Sequence, residues 1–336
     1  MTIKDLAAMT GYAVGTVSRA LNDHPNVSDK ARAAILQAAK EHGFQLNTNA
    51  KQLKQSSSNT ILVIVKGTGN ELFAEMLEYI QPLIARTRYE LMVDYLDEDS
   101  NEVIRAVQLC REKKPVGILF LGGATQNFAA DFDKIDIPCV EVTNDSSSLG
   151  FANLSSVTTD DREAARAAID TLIGCGHRRI AVIGGDRKTS DVARLRYEGC
   201  MLSFREHGID FDPETDYQSI RFSFEEGYKA TKKLLENNKD YTAIFAVSDV
   251  MTIGAIRALW EAGKNVPEDV SIIGLDGLAM GRYLIPQLST VKQDFKAIAL
   301  RSVQILLDCL EGDSPARHET VPFQVLRSES IRSISR

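Results

Sequence analysis

The 336 residues include 39 Lys and Arg against 46 Asp and Glu, a formal net charge of −7, and 44% of them are hydrophobic. This is the composition of a globular protein long enough for two or three domains, and no apolar run approaches the ~18 residues of a membrane span. Because a polar helical pattern begins at residue 2 without an apolar signal segment, we expect a cytoplasmic protein with no membrane contact.

Several features argue against an enzyme. The five cysteines are scattered without a CxxC pair, so we expect free thiols, no disulfide and no metal site. Gly67-Thr68-Gly69 follows an apolar run, but Leu72 occupies the third glycine position of a dinucleotide fingerprint, and there is no Walker lysine motif. Since no Ser-His-Asp, HExxH or paired-acid signature stands out either, we expect no catalytic residue and no cofactor.

The first two elements have the spacing of a helix-turn-helix. Apolar residues recur at helical spacing in residues 3–9, with Thr2 as N-cap, and Gly11 marks a short turn before a second apolar stripe in residues 14–21. Two short helices joined by a glycine-containing turn are typical of this DNA-binding motif, although similar pairs also occur on the surfaces of other soluble proteins.

The second helix, residues 13–22, is the predicted DNA-reading element. Its apolar stripe faces the helical core, which leaves Thr16, Ser18 and Arg19 available to phosphates and base edges. Arg19 is the strongest candidate for base readout, because a guanidinium can donate two hydrogen bonds to guanine.

Charge is distributed unevenly along the chain. Residues 1–55 have seven Lys and Arg against four Asp and Glu, a net charge of +3, which leaves −10 on the remainder. A basic head on an acidic body orients the head towards DNA and makes binding salt-sensitive. Because +3 is modest, we expect two heads to act together in a homodimer.

A third helix and a polar segment follow. Ser28 is the predicted N-cap of a helix from Asp29 to His42, which Gly43 ends. The stretch 47–55 precedes a serine run, and composition alone does not distinguish a linker from a short helix there.

From Thr60 onwards, apolar strands alternate with amphipathic helices, as in parallel α/β sheets, and the pattern occurs twice. It predicts two similar lobes with a cleft between them. The expected strands are 61–66, 91–95, 117–121, 139–142, 179–183, 217–220, 243–246 and 270–274. The expected helices are 71–87, 101–113, 126–133, 161–175, 193–207, 225–237, 250–263 and 295–311.

The strand ends predict a ligand site. In doubly wound sheets, ligands bind beyond the carboxyl ends of the strands. This rule selects Asn70, Phe73, Gly122, Thr143, Asn144, Arg196, Phe222, Ser248, Asp249 and Asp276. Carboxylate, amide and guanidinium groups bind hydroxyl-rich ligands, and an aromatic face covers a sugar or base. Such residues can also simply cap helices, as Asp249 would at the start of its helix.

Four segments near the N-terminus carry a family pattern: Thr2-Ile3-Lys4-Asp5-Leu6-Ala7, Thr16-Val17-Ser18-Arg19-Ala20-Leu21-Asn22, Val27-Ser28 and His42-Gly43-Phe44. On these segments, residues 2–55 resemble the DNA-binding headpiece of the lactose repressor (LacI/GalR) family. The resemblance implies binding to double-stranded operator DNA, with contacts from Thr2, Ala13, Val14, Gly15, Thr16, Ser18, Arg19 and Asn22.

The resemblance also assigns a role to residues 47–55. Asn47, Ala50 and Leu53 match the family's hinge-helix pattern Asn-x-x-Ala-Arg-x-Leu, with Lys51 where Arg is usual and Leu46 where Pro is usual. It implies that Asn47, Ala50, Lys51 and Leu53 contact DNA and that Leu53 wedges into a minor-groove base step. A helix this short is marginal in isolation, so we expect it to form only on DNA.

The core resembles the same family, whose core has the shape of periplasmic sugar-binding proteins. The carriers are 176–181, 194–196 with Gly199, 248–249, 266–276, 288–291 and 293–295. The resemblance implies that Arg196 and Asp276 bind effector hydroxyls or a carboxylate and that Phe222 supplies the aromatic face.

Five further positions depart from the family pattern. Ser248 stands where sugar-responsive members carry Asn, and Gly277 where a second acid is frequent, which bears on effector identity. Ala13, Val14 and Gly15 stand where members often carry Ser or Thr, Tyr and Gln. Small side chains there reach fewer base edges, so we expect an operator unlike those of the sugar repressors.

We therefore predict an α-helical helix-turn-helix headpiece followed by an α/β two-lobed, periplasmic-binding-protein-like core of two doubly wound parallel sheets. The expected parts are residues 1–46 (DNA-binding domain), 47–59 (hinge helix and linker) and 60–336 (core, with a first lobe of about 60–158 plus 292–320 and a second lobe of about 159–291 plus 321–336).

The predicted function is that of a dimeric transcriptional regulator, acting as a repressor, whose operator affinity is controlled by a small molecule such as a sugar, sugar phosphate or nucleoside. The alternatives are a periplasmic-type ligand-binding protein, an α/β sugar-processing enzyme, and a DNA regulator controlled by a protein partner.

Overall fold

The computed structural model of the protein describes residues 2–21, 26–42, 59–237, 239–312 and 314–334. The chain divides into two compact units, Met1–Ser58 and Asn59–Arg336. Five predicted DNA-contact positions, namely Asn22, Asn47, Ala50, Lys51 and Leu53, lie outside the described residues.

The first unit contains three described helices at the predicted places: α1 (Ile3–Thr10), α2 (Val14–Leu21) and α3 (Asp29–Glu41). Thr2 caps α1 as expected, because its hydroxyl accepts the Asp5 N–H at 3.3 Å while the Asp5 carboxylate accepts the Thr2 N–H at 2.7 Å. Gly11 ends α1 in the left-handed region, at φ 72°. The apolar sides of the helices form a small core around Leu6, Val17, Ala20 and Ile35.

The first lobe is built on a wholly parallel sheet of six described strands. These are β1 (Thr60–Lys66), β2 (Glu90–Leu96), β3 (Gly117–Leu121), β4 (Cys139–Val142), β5 (Leu154–Thr158) and β11 (His318–Thr320), in the spatial order β2-β1-β3-β4-β5-β11. The sheet is covered by α4 (Glu71–Ile84), α5 (Glu102–Lys113), α6 (Thr125–Asp131) and α11 (Phe295–Glu311).

The second lobe repeats this plan. Its described strands are β6 (Ile180–Gly184), β7 (Tyr217–Ser219), β8 (Ala243–Ala246), β9 (Ser271–Asp276), β10 (Ser289–Gln293) and β12 (Phe323–Leu326), in the order β7-β6-β8-β9-β10-β12, with only β12 antiparallel. Its helices are α7 (Asp161–Gly174), α8 (Asp191–Glu206), α9 (Phe224–Glu236) and α10 (Asp249–Glu261).

The strands and helices predicted from Thr60 onwards are all present, with ends shifted by a few residues, and the doubly wound parallel fold is confirmed. The predicted hinge helix lies outside the described residues. The central strands, such as 61–65 and 180–184, are buried apolar runs because helices cover both faces of each sheet. No helix within the described ranges is long and apolar enough to cross a membrane.

The sequence pattern missed the strands β5, β10, β11 and β12, which are polar or short. The chain was expected to return to the first lobe at about residue 292. Lys292 pairs in register with Asp276 of β9, and Gln293 is the last residue of β10, so the chain returns to the first lobe only after Gln293. The chain passes between the two sheets after β5, after β10 and after β11.

Candidate effector cleft and DNA-binding surface

The carboxyl ends of the strands in the two lobes face each other across a cleft. In each sheet the strand order reverses between two neighbours, β1 and β3 in the first lobe and β6 and β8 in the second, and crevices for ligands form at such points. Residues that follow these strands meet across the cleft, because the Thr125 N–H donates to Asp191 Oδ2 at 2.9 Å. A surface depression of 630 Å³ lies elsewhere, on the outer side of α8 beside Tyr197 and Phe204.

In the second lobe, a buried guanidinium is surrounded by acids. Arg196 Nε donates to Asp161 Oδ1 at 2.7 Å, and its Nη1 donates to the Val247 carbonyl and lies 3.5 Å from Asp276 Oδ1. Asp276 also accepts hydrogen bonds from the Ser248 hydroxyl at 2.6 Å and from Gln293 Nε2 at 2.9 Å. Arg196, Ser248 and Asp276, which the strand-end rule selected separately, therefore form one cluster.

Asp249 has a different role from its neighbours. Its fully buried carboxylate accepts the N–H groups of Gly277 and Leu278 and the Thr290 hydroxyl, each at 2.8 Å. The alternative that Asp249 is an N-cap is wrong, because Ser248 occupies that position and Asp249 is the first helical residue. Asp249 holds the turn that follows Asp276 and so positions Asp276.

The electrostatics of this cluster follow from burial. Removal from water raises the pKa values of the Asp161, Asp249 and Asp276 carboxyl groups, while the Arg196 guanidinium opposes the rise at Asp161 and Asp276. At Asp249 the negative charge of Asp276 raises the pKa further. Asp161 and Asp276 share one guanidinium here and Asp249 lies close enough to act on it, so an additional negative charge would be unfavourable.

Two residues at strand ends in the cleft have unusual backbone angles. Thr143 follows β4 with a φ of 83°, and Asp276 ends β9 with a φ of 125°. Non-glycine residues rarely adopt such values, and they do so mostly where the surrounding structure holds a functional group in place. Their positions at corresponding edges of the two sheets favour a binding role for the cleft.

In the first lobe, the structure reveals a buried acid that the sequence analysis missed. Glu141 lies within β4, fully buried, and its Oε1 accepts from Asn144 Nδ2 at 3.1 Å. Burial raises the pKa of Glu141 from 4.5 to about 8, and the nearby Glu102 adds to the rise. An acid inside the otherwise apolar segment 139–142 was the available signal.

Glu102, the other acid beside Glu141, is paired with Lys66. Lys66 Nζ lies 2.6 Å from Glu102 Oε2, and the other oxygen of Glu102 accepts the Ala124 N–H at 2.7 Å. Asn144 Nδ2 also donates to the Gly123 carbonyl at 2.8 Å, while Asn144 Oδ1 is buried without a hydrogen-bond partner. Such an acceptor at the cleft edge is suited to a ligand hydroxyl.

The remaining predicted first-lobe residues have structural contacts. Asn70 caps α4 through the Leu72 N–H at 3.1 Å, which is the capping alternative that the sequence left open. Phe73 is buried against Gly122, where a Cβ would come within 2.8 Å of the ring and where φ is 75°. In the second lobe, Phe222 is half-buried, and a Cβ at Gly185 would come within 2.7 Å of its ring.

The described DNA-contact candidates lie on the surface of the first unit. Ala13, Val14, Gly15 and Arg19 are exposed and Thr16 and Ser18 are half-buried, whereas Val17 and Ala20 of the same helix are buried. Arg19 Nε donates to the Gly15 carbonyl at 3.1 Å. Thr2, also exposed, uses its hydroxyl in the cap of α1.

Comparison with known proteins gives this arrangement a family. The profile of bacterial regulatory proteins of the lacI family matches residues 2–47, and that of the periplasmic binding protein-like domain matches residues 169–331. The HTH-type transcriptional regulator MalR of Clostridium butyricum is 34% identical over 99% of this chain and 100% of its own length. The ribose operon repressor of Haemophilus influenzae is 30% identical over 99% of each chain.

Solved structures share the fold. A lac repressor dimer bound to operator and an anti-inducer superposes with a TM-score of 0.77 at 24% identity, covering 99% of both chains. The cellobiose complex of the transcriptional regulator CelR gives 0.71 at 25% identity, covering 98% of this chain and 99% of the other.

The helix-turn-helix unit, the two-lobed core and these relatives together define a DNA-binding transcriptional regulator with an effector-binding domain, and not an enzyme. The chain belongs to the lacI family of bacterial regulatory proteins. The alternatives of a transport binding protein and of a sugar-processing enzyme are thereby set aside.

Proposed function

We propose that this regulator is a cytoplasmic homodimeric repressor whose operator affinity is controlled by a neutral, hydroxyl-rich metabolite of the sugar class bound in the cleft. The observation that carries the proposal is the buried cluster of Arg196, Asp276 and Ser248 at the carboxyl edge of the second sheet. Its oxygens and N–H groups suit hydroxyl groups, which both donate and accept hydrogen bonds.

Charge favours a neutral sugar over a sugar phosphate. Arg196 is the guanidinium of the cluster, and Asp161 and Asp276 already neutralise it. A phosphate would be placed beside Asp249 and Asp276 in a region of low dielectric without a free cation in that cluster, which is strongly unfavourable. A sugar hydroxyl carries no such cost.

Two of the related proteins support the same ligand class. One relative is a ribose operon repressor, and one structural neighbour was solved with cellobiose bound. These ligands belong to those proteins. For this chain they support the class of small carbohydrate, and Ser248 in place of a longer amide leaves the choice of sugar open to experiment.

A homodimer is supported by apolar residues on one segment of the second lobe. Tyr283 and Ile285 are 84% and 95% exposed, and the nearby Met280 is 38% exposed. Apolar side chains grouped in this way favour burial against another protein surface, and a second copy places two headpieces on a two-fold symmetric operator. The lac repressor structure that shares this fold is described as a dimer.

For the DNA contacts, we propose that Arg19 reads a base edge and that the exposed Val14 contacts a thymine methyl group. Ala13, Gly15, Thr16, Ser18 and Thr2 complete the described contact surface, and Asn22, Asn47, Ala50, Lys51 and Leu53 are proposed from the sequence. Leu53 is the proposed minor-groove wedge.

A thermal-shift screen tests the effector proposal. The purified protein is heated with neutral pentoses, hexoses and disaccharides, with their phosphate esters, and with nucleosides. A ligand at 100 times its Kd stabilises the folded state by about 2.7 kcal/mol, which is a visible shift. We expect a neutral sugar to shift the transition, its phosphate ester to have no effect, and Asp276→Ala to abolish the shift.

The contrary outcomes are distinct. A shift produced only by phosphate esters or nucleosides would overturn the proposed effector class, and a sugar shift that survives Asp276→Ala would displace the site from this cluster. No shift with any compound would favour control by a protein partner, without affecting the DNA-binding function.

A further inference from the structure

An arginine of the second lobe is surrounded by three acids of the first. Arg221 follows β7, and the acidic turn, which we define as Asp97-Glu98-Asp99, follows β2. Arg221 Nη2 lies 2.7 Å from Asp97 Oδ1 and 3.1 Å from Asp99 Oδ2, and Nε donates to Glu98 Oε1. Since β2 and β7 are the edge strands of their sheets, this contact spans the cleft at its outer rim.

Two further carboxylates reach across the cleft elsewhere. Asp191 of the second lobe accepts the Thr125 N–H of the first lobe at 2.9 Å, and Glu75 of the first lobe accepts the Ala279 N–H of the second at 2.8 Å. These contacts are separate from the Arg196 and Asp276 cluster. The two lobes are therefore joined around the cleft by groups that the effector proposal does not use.

We propose that Arg221 and the acidic turn form an electrostatic latch that holds the two lobes closed before any effector binds. Opening the cleft would leave three neighbouring carboxylates without their shared cation, and their mutual repulsion would rise. Closure places the Arg221 guanidinium among the three carboxylates, where its positive charge offsets their repulsion. The latch rests on the proposed function only in identifying this cleft as the effector site.

The latch is exposed, which makes it sensitive to salt. The Arg221 side chain is 50% exposed and that of Asp99 is 82% exposed, so dissolved ions screen both. Isolated exposed ion pairs have small effects, whereas several charges in one network have larger ones. Asp191 and Glu75 accept hydrogen bonds from uncharged backbone N–H groups, and we expect their contribution to be less affected by salt than that of the ion pairs.

Lobe separation can be measured directly in the full chain without effector or DNA. A donor and an acceptor dye are attached through unnatural amino acids at the exposed positions Lys113 and Glu236, one in each lobe, which leaves the native cysteines unlabelled. Single-molecule energy transfer then gives the ratio of closed to open molecules in wild type and variants.

We expect Arg221→Ala to reduce the closed-to-open ratio by about two- to fivefold and 0.5 M salt to reduce the wild-type ratio comparably. Arg257→Ala is the matched control, because Arg257 is an exposed arginine of the same lobe whose ion-pair partner, Glu261, lies on its own helix. It should leave the ratio unchanged.

Charge reversal keeps the test decisive if a single variant is unstable. Arg221→Glu should open the lobes further, and combining it with Asp97→Lys and Asp99→Lys should restore closure. An unchanged ratio in Arg221→Ala, or an equal change in Arg257→Ala, would overturn the latch. Because the measurement contains no sugar, its outcome is independent of the thermal-shift screen.

Discussion

The Ser248 hydroxyl lies 2.6 Å from Asp276 Oδ2, although 28 residues separate the two. They meet because β8 and β9 are adjacent parallel strands, so that the residues just beyond one strand lie beside the end of the other. Ser248 thereby fixes the orientation of a carboxylate that also faces Arg196. Neither residue occupies this geometry through local structure alone.

Replacing Ser248 tests this relationship. Ser248→Ala removes a donor from a buried carboxylate, so we expect the free energy of unfolding to fall by about 1–3 kcal/mol and effector affinity to fall with it. Thr231→Val is the control, because Thr231 makes a buried hydrogen bond to the Gly227 carbonyl within α9. Calorimetric titration with the sugar found in the screen should weaken only for Ser248→Ala; equal weakening in both variants would point to a general loss of stability.

Arg19→Ala tests the reading of DNA. A bidentate contact to guanine contributes about 1–3 kcal/mol to discrimination, so the variant should lose preference at one operator position. It should retain sugar binding, because Arg19 belongs to the other compact unit. Lys40→Ala, which removes an exposed charge from α3, should weaken binding evenly over all sequences. Selection from a random DNA library distinguishes the two, and unchanged preference in Arg19→Ala would contradict the base contact.

Gly15 is predicted to limit the stability of α2, the proposed DNA-reading helix. No heavy atom lies within 4 Å of a Cβ built there, so Gly15→Ala should stabilise α2 by up to about 1 kcal/mol. Gly11→Ala is the opposite control, because a φ of 72° costs a non-glycine residue about 1–2 kcal/mol. Hydrogen exchange of the α2 amides should slow in the first variant and quicken in the second. Faster exchange in Gly15→Ala would show that glycine is required there for packing.

Glu141 predicts a pH dependence of stability. Its pKa is about 8 in the folded protein and near 4.5 when solvated, so between these values the folded state holds a proton that the unfolded state has released. Stability from this group is therefore present at low pH and is lost as pH rises towards 8, by up to about 1.4 kcal/mol per pH unit. Glu102, Asp191 and Asn144 surround the group.

Glu141→Gln should flatten this dependence, because the amide cannot ionise, and should make the protein more stable than wild type at pH 8. Urea unfolding at pH 6, 7 and 8 measures the effect. The control is Glu319→Gln, since Glu319 is ion-paired with Arg301 and its pKa is lowered, which places its titration below this range. Parallel pH profiles for wild type and Glu141→Gln would exclude Glu141 as the titrating group.

Much of the architecture was readable from local pattern. The spacing of apolar residues located the helices of both units, and the buried runs at 61–65, 117–121 and 180–184 identified parallel strands. Short polar strands escaped detection: β5 and β10 contain Ser, Thr, Lys and Gln, and their pairing partners, not their composition, make them strands.

The candidate site was also predicted only in part from the sequence. The rule that ligands lie beyond strand ends identified Arg196, Ser248 and Asp276, because strand ends follow from sequence order and a parallel arrangement. It also selected Asn70 and Asp249, whose hydrogen bonds cap a helix and hold a turn. Glu141 was not selected, because it lies within β4 and the rule considers only residues beyond strand ends.

The sequence by itself determined the class of protein, the order of its elements and most of the strand ends, since these depend on periodicity and on motifs of adjacent residues. Only the tertiary structure decided which acids share Arg196, that Glu141 is buried beside Glu102, and that Arg221 meets the acidic turn across the cleft. Electrostatic energy depends on distance and on exclusion of water, and folding sets both between residues more than a hundred positions apart, as it does for Arg221 and Asp97.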